Sequence, residues 1–340
     1  MPSRPNSVPQ PRSALIATTF KCNARCVMCN IWRVKEHNDL KPEEYRDLPR
    51  SLEHINVSGG EPFLRKDLVE IVGVLAERCP AAHQVISSNG FLPEVLEEQV
   101  GRMLKITKKL GVRVSFDGVG AVHEEIRGTP GAFDRCVRSI QVLHQLGVRD
   151  LGIAFTASDG NIEHIDKAYQ LSLDLGVQFS FAAAQSSAIF FQADGNAMLS
   201  RRPELARAVD RLATRELRGW HPKRWYRALF ETRLKHFVLG ELPFTGCSAG
   251  SSSFYLAPDG TVYPCNIMEA PLGNLRQQRF EELWAAPRAW QIRERVDRCP
   301  HPCYMICSSA SDMRHRVLEP LPWIAKSKAR AHLGLPPGPA

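Results

Sequence analysis

Six short runs of β-branched and aromatic residues recur along the first half of the chain. They lie at residues 15–20, 54–58, 84–88, 113–117, 152–156 and 178–182, and such runs are typical of strands. Between them the apolar residues follow a helical spacing, as in Leu68, Ile71, Val72 and Leu75. Strands that alternate with helices predict parallel βαβ units with right-handed crossovers.

This alternation predicts an α/β fold, a partial (β/α)6 TIM-like barrel over residues 14–200. Six strands are too few for a closed eight-stranded barrel, and an open doubly wound sheet is the alternative. In both architectures the chemistry sits at the carboxyl ends of the strands. Five polar loops follow predicted strands directly, and they begin at Cys22, Gly59, Ser88, Asp117 and Gln185.

The βα rhythm stops near residue 200, and a basic helical connector is expected over residues 201–245. Its arginines and lysines alternate with Trp220, Trp225, Tyr226 and Phe230. One interpretation is a solvated helical face whose aromatic side chains point into the core. The other is a surface for an anionic partner such as a phosphorylated substrate, a lipid headgroup or RNA. The net charge of +8 is mild for 340 residues and does not separate the two.

A small cysteine-bearing module is expected over residues 246–316. Pro258-Asp259-Gly260 predicts a hairpin between residues 254–257 and 261–263, and a short helix is predicted at 276–284. Residues 1–13 are expected to be a disordered lead-in, and the tail 317–340 is expected to fray. No run has the roughly 18 apolar residues of a membrane span, and residues 1–13 do not resemble a secretory signal, so we expect a cytoplasmic protein.

Ten cysteines in such a chain need an explanation, because the cytoplasm keeps thiols reduced. Cys79 and Cys136 stand alone in apolar helical patterns and are expected to be buried, inert thiols. The other eight fall into two groups whose short spacings suit metal ligation: Cys22, Cys26 and Cys29, then Cys247, Cys265, Cys299, Cys303 and Cys307.

The first group lies in the loop after the first strand. Three thiolates can hold three irons of a cubane and leave the fourth iron open to a ligand, whereas four would close the site. Structural zinc is the alternative, but it prefers four ligands. The nearest further candidate, His37, lies in a charged loop. The spacing therefore favours an iron–sulfur cluster with one open iron.

The run at residues 20–32 (FKCNARCVMCNIW) resembles the signature of the radical S-adenosylmethionine (SAM) superfamily. Gly59, Gly60, Glu61 and Pro62 resemble the superfamily's second motif, in which backbone and an acidic residue hold the SAM amino group. Residues 114–118, followed by His123 and residues 126–128, are similar to its fourth-strand region. These matches span residues 15–184, and they depart from the family at Met28, where many relatives have an aromatic residue.

The resemblance implies that SAM chelates the open iron through its amino and carboxylate groups. A reduced cluster then cleaves SAM to a 5′-deoxyadenosyl radical that abstracts hydrogen from the substrate. It also implies an external electron donor such as flavodoxin or ferredoxin. Further candidate contacts for SAM or substrate are Met28, Asn89, Ser115, Asp117 and Arg127. Arg127 is as well explained by a salt bridge that closes its loop, and Asn89 and Gln185 by turn formation.

The second cysteine group resembles the SPASM or twitch extension of many radical SAM enzymes, with residues 258–265, 272–275 and 283–284 the most similar segments. Full SPASM modules bind two auxiliary clusters with seven or eight cysteines. Five cysteines predict one auxiliary [4Fe–4S] cluster, for which Cys247 and Cys265 are the strongest ligands. The spare residue among Cys299, Cys303 and Cys307 stays open, and tetrahedral zinc is the alternative.

The predicted function is a radical SAM oxidoreductase or modifying enzyme with an auxiliary cluster that assists electron transfer. Peptide-modifying relatives often carry an N-terminal recognition domain, and the first strand here starts by Leu15. We therefore expect a small-molecule substrate such as a sugar, nucleotide or lipid-linked intermediate, with a peptide- or protein-modifying maturase as the alternative. Two other classes are a non-catalytic iron–sulfur electron carrier and an RNA-binding or RNA-modifying protein. A nucleic-acid partner is not expected.

Overall fold

The computed structural model describes residues 8–193, 199–241, 247–299, 303–305, 313 and 318–340. Within these residues, nine strands form one sheet in the order β6-β5-β4-β3-β2-β1-β7-β8-β9. The first six pair in parallel between sequence neighbours, which confirms the predicted partial barrel. They are β1 (Ser13–Thr19), β2 (His54–Gly59), β3 (His83–Ser88), β4 (Leu110–Ser115), β5 (Asp150–Ala157) and β6 (Gln178–Ala183).

Helices cover the outer face of this sheet, and their apolar stripes are the buried ones. α1 (Leu68–Arg78) buries Leu68, Ile71, Val72 and Leu75, as its spacing predicts. The other barrel helices are α2 (Pro93–Ile106), α3 (Ala121–Arg127), α4 (Ala132–Gln145) and α5 (Ile165–Asp174), with short 3-10 helices at Ile31–Arg33, Pro42–Asp47, Pro62–Leu64 and Ile162–His164.

The inner face of the strands carries small polar residues. In β2, Ile55 and Val57 are buried in the main core while Asn56 and Ser58 are half-buried. β6 repeats the alternation, with Phe179 and Phe181 buried and Ser180 half-buried. Because neighbouring residues of a strand point to opposite faces, this pattern lines the inside of the partial barrel with polar groups.

The predicted boundaries of the fourth strand are wrong by three residues at its start and two at its end. β4 runs from Leu110 to Ser115 rather than over residues 113–117. Leu110, Val112 and Val114 are buried on the helix side, but Gly111 interrupts the β-branched run in the sequence. As a result Asp117 lies two residues beyond the strand, in the loop that follows it.

The predicted hairpin forms and extends the barrel sheet. β7 (Ser253–Leu256) pairs in parallel with β1, and β8 (Thr261–Tyr263) and β9 (Gly273–Asn274) follow antiparallel. α8 (Phe280–Ala285) replaces the helix predicted at residues 276–284, and α9 (Pro287–Asp297) follows it. Arg276 instead lies in the loop before α8, where it pairs with Glu44 at 2.7 Å.

The basic connector forms α6 (Arg202–Arg218) and α7 (Pro222–Leu239). Phe230 is buried and Trp225 half-buried, whereas Trp220 is 81% exposed and faces the Lys328 ammonium. Much of the positive charge is paired within the helices, as in Arg224–Glu216, Arg227–Glu216, Lys235–Asp210 and Arg211–Asp166. These contacts favour the solvated-face interpretation for most of the stretch.

The prediction that the tail frays is wrong for α10 (Leu321–His332). Ala331 of α10 packs among Ala213, Leu217 and Ala228, and Lys328 donates to the carbonyl oxygens of Leu217 and Gly219 at 2.7 Å each. Small residues allow the helices to approach closely. The composition of the tail does not reveal this packing, and so it does not predict the helix. In the described parts of the chain, no helix has the length and apolar character needed to cross a membrane.

Candidate active site and a second cysteine cavity

The loop that carries Cys22, Cys26 and Cys29 is fixed by the end of α3. Its Arg25 and Val27 amides donate to the carbonyl oxygens of Arg127 and Ile126 at 3.0 and 2.9 Å. The helix ends at Gly128, which has a φ of 61° and lies so close that a β-carbon would meet the Arg25 oxygen at 2.5 Å. Only glycine suits both demands, and this explains Gly128 in the predicted 126–128 segment.

The three thiols lie in a desolvated site. Burial raises the pKa of Cys22 to about 12 and that of Cys29 to about 11, and it also raises the pKa of Cys26. Cys26 lies 3.6 Å from Nη1 of Arg127, which can donate to its sulfur. Thiolates are the ligands of iron–sulfur clusters, and buried thiols become thiolates when a bound cation compensates the charge. This donor set therefore fits a cationic iron cluster.

Gly59 and Gly60 hold the second loop against the cysteine loop. The Gly60 amide donates to Thr19 and the Glu61 amide to Lys21, both at 2.8 Å. At Gly60 a β-carbon would lie 2.1 Å from the Lys21 oxygen. The two glycines thus let the loop after β2 approach the start of the cysteine loop, and Pro62 begins a buried 3-10 turn.

The Glu61 carboxylate is buried and ties β2 to β3. Oε1 accepts from the Phe63 amide at 3.1 Å and the Ser88 hydroxyl at 2.9 Å, and Oε2 accepts from the Asn89 amide at 2.6 Å. Burial raises the pKa of Glu61 to about 7 although these hydrogen bonds oppose the shift. A carboxylate has about four lone-pair sites, so one site on Oε2 stays available to a donor.

Asn89 links the third loop to the cysteine loop. Its Nδ2 donates to Oδ1 of Asn23 at 2.6 Å, and its own Oδ1 accepts from the Phe91 amide at 2.9 Å. Asn23 is the residue after Cys22. The side chain therefore forms a turn, as one interpretation predicts, and also positions the first cysteine.

Asp117 and Arg127 form a buried ion pair of 2.6 Å. Asp117 also accepts from the Thr156 amide at 2.7 Å, and its side chain is fully buried. The loop-closing salt bridge considered for Arg127 is therefore present. His123 supports the same loop, because its Nδ1 accepts from the Asp117 amide at 3.1 Å; burial lowers the pKa of His123 to about 3, so the ring is neutral.

Several polar groups line the inner face, and apart from Ser115 the sequence did not predict them as site residues. The Ser87 hydroxyl donates to Oδ1 of Asn56 at 3.2 Å, and Ser115, Thr156 and Ser180 are half-buried. Met28 is buried in the core cluster beside the cysteines. Polar residues alternate with apolar ones in residues 54–58 and 178–182, and this pattern would have placed Asn56 and Ser180 on the inner face.

The second cysteine group lines a separate cavity. Cys247, Cys265, Cys299 and Cys303 surround it together with apolar residues, among them Ile267, Met268 and Met305. Burial raises the pKa of Cys265, and proximity to Cys299 adds to that effect. Cys307 lies outside the described residues. Four thiols around one apolar cavity have the donor chemistry of a four-ligand iron–sulfur site, and their role as ligands stays a prediction. Over the residues that the structure describes, no three His, Cys, Asp or Glu side chains converge closely enough for a single metal ion.

The segment after β6, residues 185–193, covers the inner face of β1 and β7. Phe190 packs with Leu15, Ala17 and Tyr255, and its ring lies edge-on to that of Tyr255 at 5.5 Å. Gln185, expected at the active face or in a turn, instead bonds to the backbone of Tyr304.

Two family profiles match the chain. The radical SAM superfamily matches residues 16–171, and the SPASM iron-sulfur cluster-binding domain matches residues 247–308. The structure is also similar to a solved structure described as native anSMEcpe with bound AdoMet, with a TM-score of 0.62, 17% identity and coverage of 84% of each chain. At that identity the likeness shows the fold.

Two characterised relatives align along most of the chain. An AdoMet-dependent heme synthase of Oleidesulfovibrio alaskensis is 27% identical, covering 86% of this chain and 80% of the relative. The sporulation killing factor maturation protein SkfB of Bacillus subtilis is 23% identical, covering 85% of this chain and 68% of the relative. The similarity thus reaches proteins named for a small-molecule product and for a peptide product.

Proposed function

Because the chain belongs to the radical SAM superfamily and carries a SPASM iron–sulfur cluster-binding domain, it is a radical SAM enzyme, and we propose that its substrate is a small molecule of the tetrapyrrole class. A [4Fe–4S] cluster and SAM, when bound, would supply the radical chemistry that removes a hydrogen atom from the substrate. The observation that carries the activity is the three-thiol loop held by the loops after β2, β3 and β4, and the observation that carries the substrate class is the alignment with a heme synthase.

Within that loop we assign distinct roles. Cys22, Cys26 and Cys29 would hold the cluster with three thiolates, which would leave it open to SAM. Glu61 offers its remaining lone pair to the SAM ammonium, a charge-assisted hydrogen bond, and Gly59, Gly60 and Pro62 keep it in place. Met28 makes a soft apolar contact with the adenine, and Ser115 offers its half-buried hydroxyl to SAM or substrate.

Asp117 and Asn89 act through other residues in this proposal, although both were expected among the SAM contacts. The Asp117 carboxylate is engaged by Thr156 and Arg127, so it orients the guanidinium beside Cys26. Asn89 is engaged by Asn23 and Phe91, so it orients the turn that carries Cys22.

For the auxiliary cluster we propose Cys247, Cys265, Cys299 and Cys303 as ligands, because these four line one cavity. A cluster held there would supply electron transfer to or from the substrate, and an external donor such as flavodoxin or ferredoxin would reduce the enzyme. Iron–sulfur ligands require reduced thiols, which favours a reducing compartment such as the cytoplasm.

Similarity to the heme synthase along most of both chains supports a tetrapyrrole ahead of a sugar, nucleotide or lipid-linked substrate. The small polar side chains of the inner barrel face leave room for a large substrate and can donate hydrogen bonds to its polar edge; they are Asn56, Ser58, Ser87, Thr156 and Ser180. A peptide is the second candidate, and the alignment with SkfB favours it.

The first experiment is anaerobic reconstitution followed by incubation with SAM and dithionite. We expect about eight irons per chain, as two [4Fe–4S] clusters require, and formation of 5′-deoxyadenosine. A C22A/C26A/C29A variant should lack the SAM-binding cluster, so it should bind about four irons fewer per chain and form no 5′-deoxyadenosine. Cys79→Ala is the matched control, because this thiol is buried at the end of α1 and bonds to the Pro49 carbonyl. Iron binding without SAM cleavage would refute the activity.

The substrate class is tested with deuterated candidates. An iron-porphyrin carboxylate deuterated on its side chains should transfer deuterium to 5′-deoxyadenosine, and a deuterated peptide should not. Transfer from the peptide alone would replace the tetrapyrrole with the second candidate.

A further inference from the structure

Gln185 makes a two-way contact with the loop that carries Cys303. Its Nε2 donates to the carbonyl oxygen of Tyr304 at 3.0 Å, and its Oε1 accepts from the Tyr304 amide at 3.0 Å. Tyr304 directly follows Cys303. A planar side-chain amide has one acceptor and two donors, so it satisfies both backbone groups of Tyr304 as a neighbouring strand would.

The opposite side of the same loop rests on α7. The Tyr304 ring lies 4.9 Å from that of Phe230 and 6.3 Å from that of Phe237, and the residue is buried. The backbone beside Cys303 is therefore held between the barrel, through Gln185, and the aromatic face of the connector. Phe230 and Phe237 of the basic connector thus pack against the residue that follows Cys303.

The segment that begins at Gln185 also contacts residues beside two other cysteines. The Ser187 hydroxyl donates to the carbonyl oxygen of Asn266, which follows Cys265. The Phe191 carbonyl oxygen accepts from the Asn30 amide at 2.8 Å, and Asn30 follows Cys29. Residues 185–191 thus join the backbone neighbours of both cysteine groups.

We propose that Gln185 is a positioning residue for the auxiliary cluster: it fixes Cys303 relative to the barrel so that the cluster is held in one geometry. This inference rests on the proposed function, which makes Cys303 a ligand. Groups that orient a metal ligand without touching the metal typically contribute 10–100-fold to metal affinity, and they tune the metal's electronic properties. Gln185 would act through hydrogen bonds to the Cys303–Tyr304 backbone.

The test compares Gln185→Leu with Gln170→Leu in a chain that already carries C22A/C26A/C29A, so that iron reports on the auxiliary site alone. Leucine keeps much of the volume and loses both hydrogen bonds. Gln170 is exposed on α5 and bonds to Asp174 and, at 3.4 Å, to Arg215 of α6 rather than to either cysteine group, so it is a matched control. The readouts are the rate of iron loss to a chelator and the electron paramagnetic resonance spectrum of the reduced cluster.

We expect the Q185L chain to lose its auxiliary iron about tenfold faster than the parent and the Q170L chain, with an altered spectrum of the reduced cluster. Equal rates and an unchanged spectrum would overturn the inference while leaving the auxiliary cluster itself intact. A parent chain that binds no iron would overturn the auxiliary cluster assignment and the inference with it. Q185L in the otherwise native chain should keep the iron of the first cluster, which shows that the barrel is folded.

Discussion

The Glu61 carboxylate joins two loops of the site, so its contribution to folding can be separated from its proposed contact with SAM. In Glu61→Gln an amide nitrogen would face one of the donors that now reach the carboxylate from Phe63, Ser88 and Asn89. We expect a loss of about 1–3 kcal/mol in the free energy of unfolding, measured by urea denaturation without SAM. Glu70→Gln, on the exposed side of α1, should leave the stability unchanged. An equally stable E61Q protein would contradict the tie between β2 and β3.

The Arg127–Asp117 pair is the second residue-scale test. Arg127→Met leaves the fully buried Asp117 carboxylate without its cation, and breaking a buried pair in this way costs about 3–5 kcal/mol. The double variant Arg127→Met/Asp117→Asn removes the orphaned charge and should be more stable than the single variant. Urea denaturation of the parent, of Arg127→Met, of Asp117→Asn and of the double variant gives the coupling energy. A double variant less stable than R127M would contradict an interaction between the two side chains.

Sequence patterns located the site's residues more reliably than their contacts. The cysteine spacing and the loop positions predict Cys22, Glu61 and Arg127 as site residues, and the structure places all three in adjoining loops. They left two roles open for Arg127 and Asn89, because a polar residue after a strand can face a ligand or close a turn. Burial and hydrogen-bond partners decide between these roles, and both depend on residues far away in the chain, such as Asn23 and Thr156.

At the scale of elements, strands β3, β4, β5 and β6 are tied together near their amino ends by one carboxylate. Asp150 bonds to His83 and Arg113 at 2.7 Å each and accepts from Gln178 at 2.7 Å. Burial by itself would raise the pKa of Asp150, but hydrogen bonds and charge from His83 and Arg113 hold it well below its usual value.

A folded-state pKa below the unfolded value of about 3.9 means that this stabilisation is present above that value. It is lost as the pH falls through the carboxyl range. We expect Asp150→Asn to lower the free energy of unfolding by about 2 kcal/mol at pH 7, and the difference from the parent to shrink below about pH 4. Urea denaturation at several pH values measures this. A difference that grows on acidification would contradict the assigned pKa direction.

The packing of α10 gives a second test on elements. Ala331 is fully buried among small residues of α6 and α7, whereas Ala325 on the same helix is exposed. Ala331→Asp would bury an unpaired charge and should lower the melting temperature by several degrees, whereas Ala325→Asp should not. Equal melting temperatures would show that α10 does not stabilise the helical layer.

The elements themselves were predictable to different degrees, for physical reasons. Strands β1, β2, β3 and β6 follow runs of β-branched and aromatic residues, so their positions were close to the predictions. Gly111 concealed the start of β4, and the tail's Pro, Lys and Arg content concealed α10, whose stability comes from tertiary contacts rather than propensity. The parallel pairing of β7 with β1 joins residues about 240 positions apart in the chain, and no local pattern carries that information.

At the scale of the whole molecule, the two cysteine sites have different proposed roles: the first cleaves SAM and the second assists electron transfer. One substitution can test these roles separately. Cys265→Ala removes a proposed ligand of the auxiliary cluster and leaves the loop of Cys22, Cys26 and Cys29 untouched. We expect 5′-deoxyadenosine to form at a reduced but measurable rate while substrate turnover falls at least about tenfold, the lower end of what a disturbed metal site costs.

Cys136→Ala would be a poor control because that thiol bonds to Asn89 at the first site, so Cys79→Ala serves instead. Product and 5′-deoxyadenosine are quantified together by chromatography, and their ratio is the decisive quantity. A ratio equal to that of the parent would make the second cluster structural, because its loss would then leave electron transfer to or from the substrate unchanged.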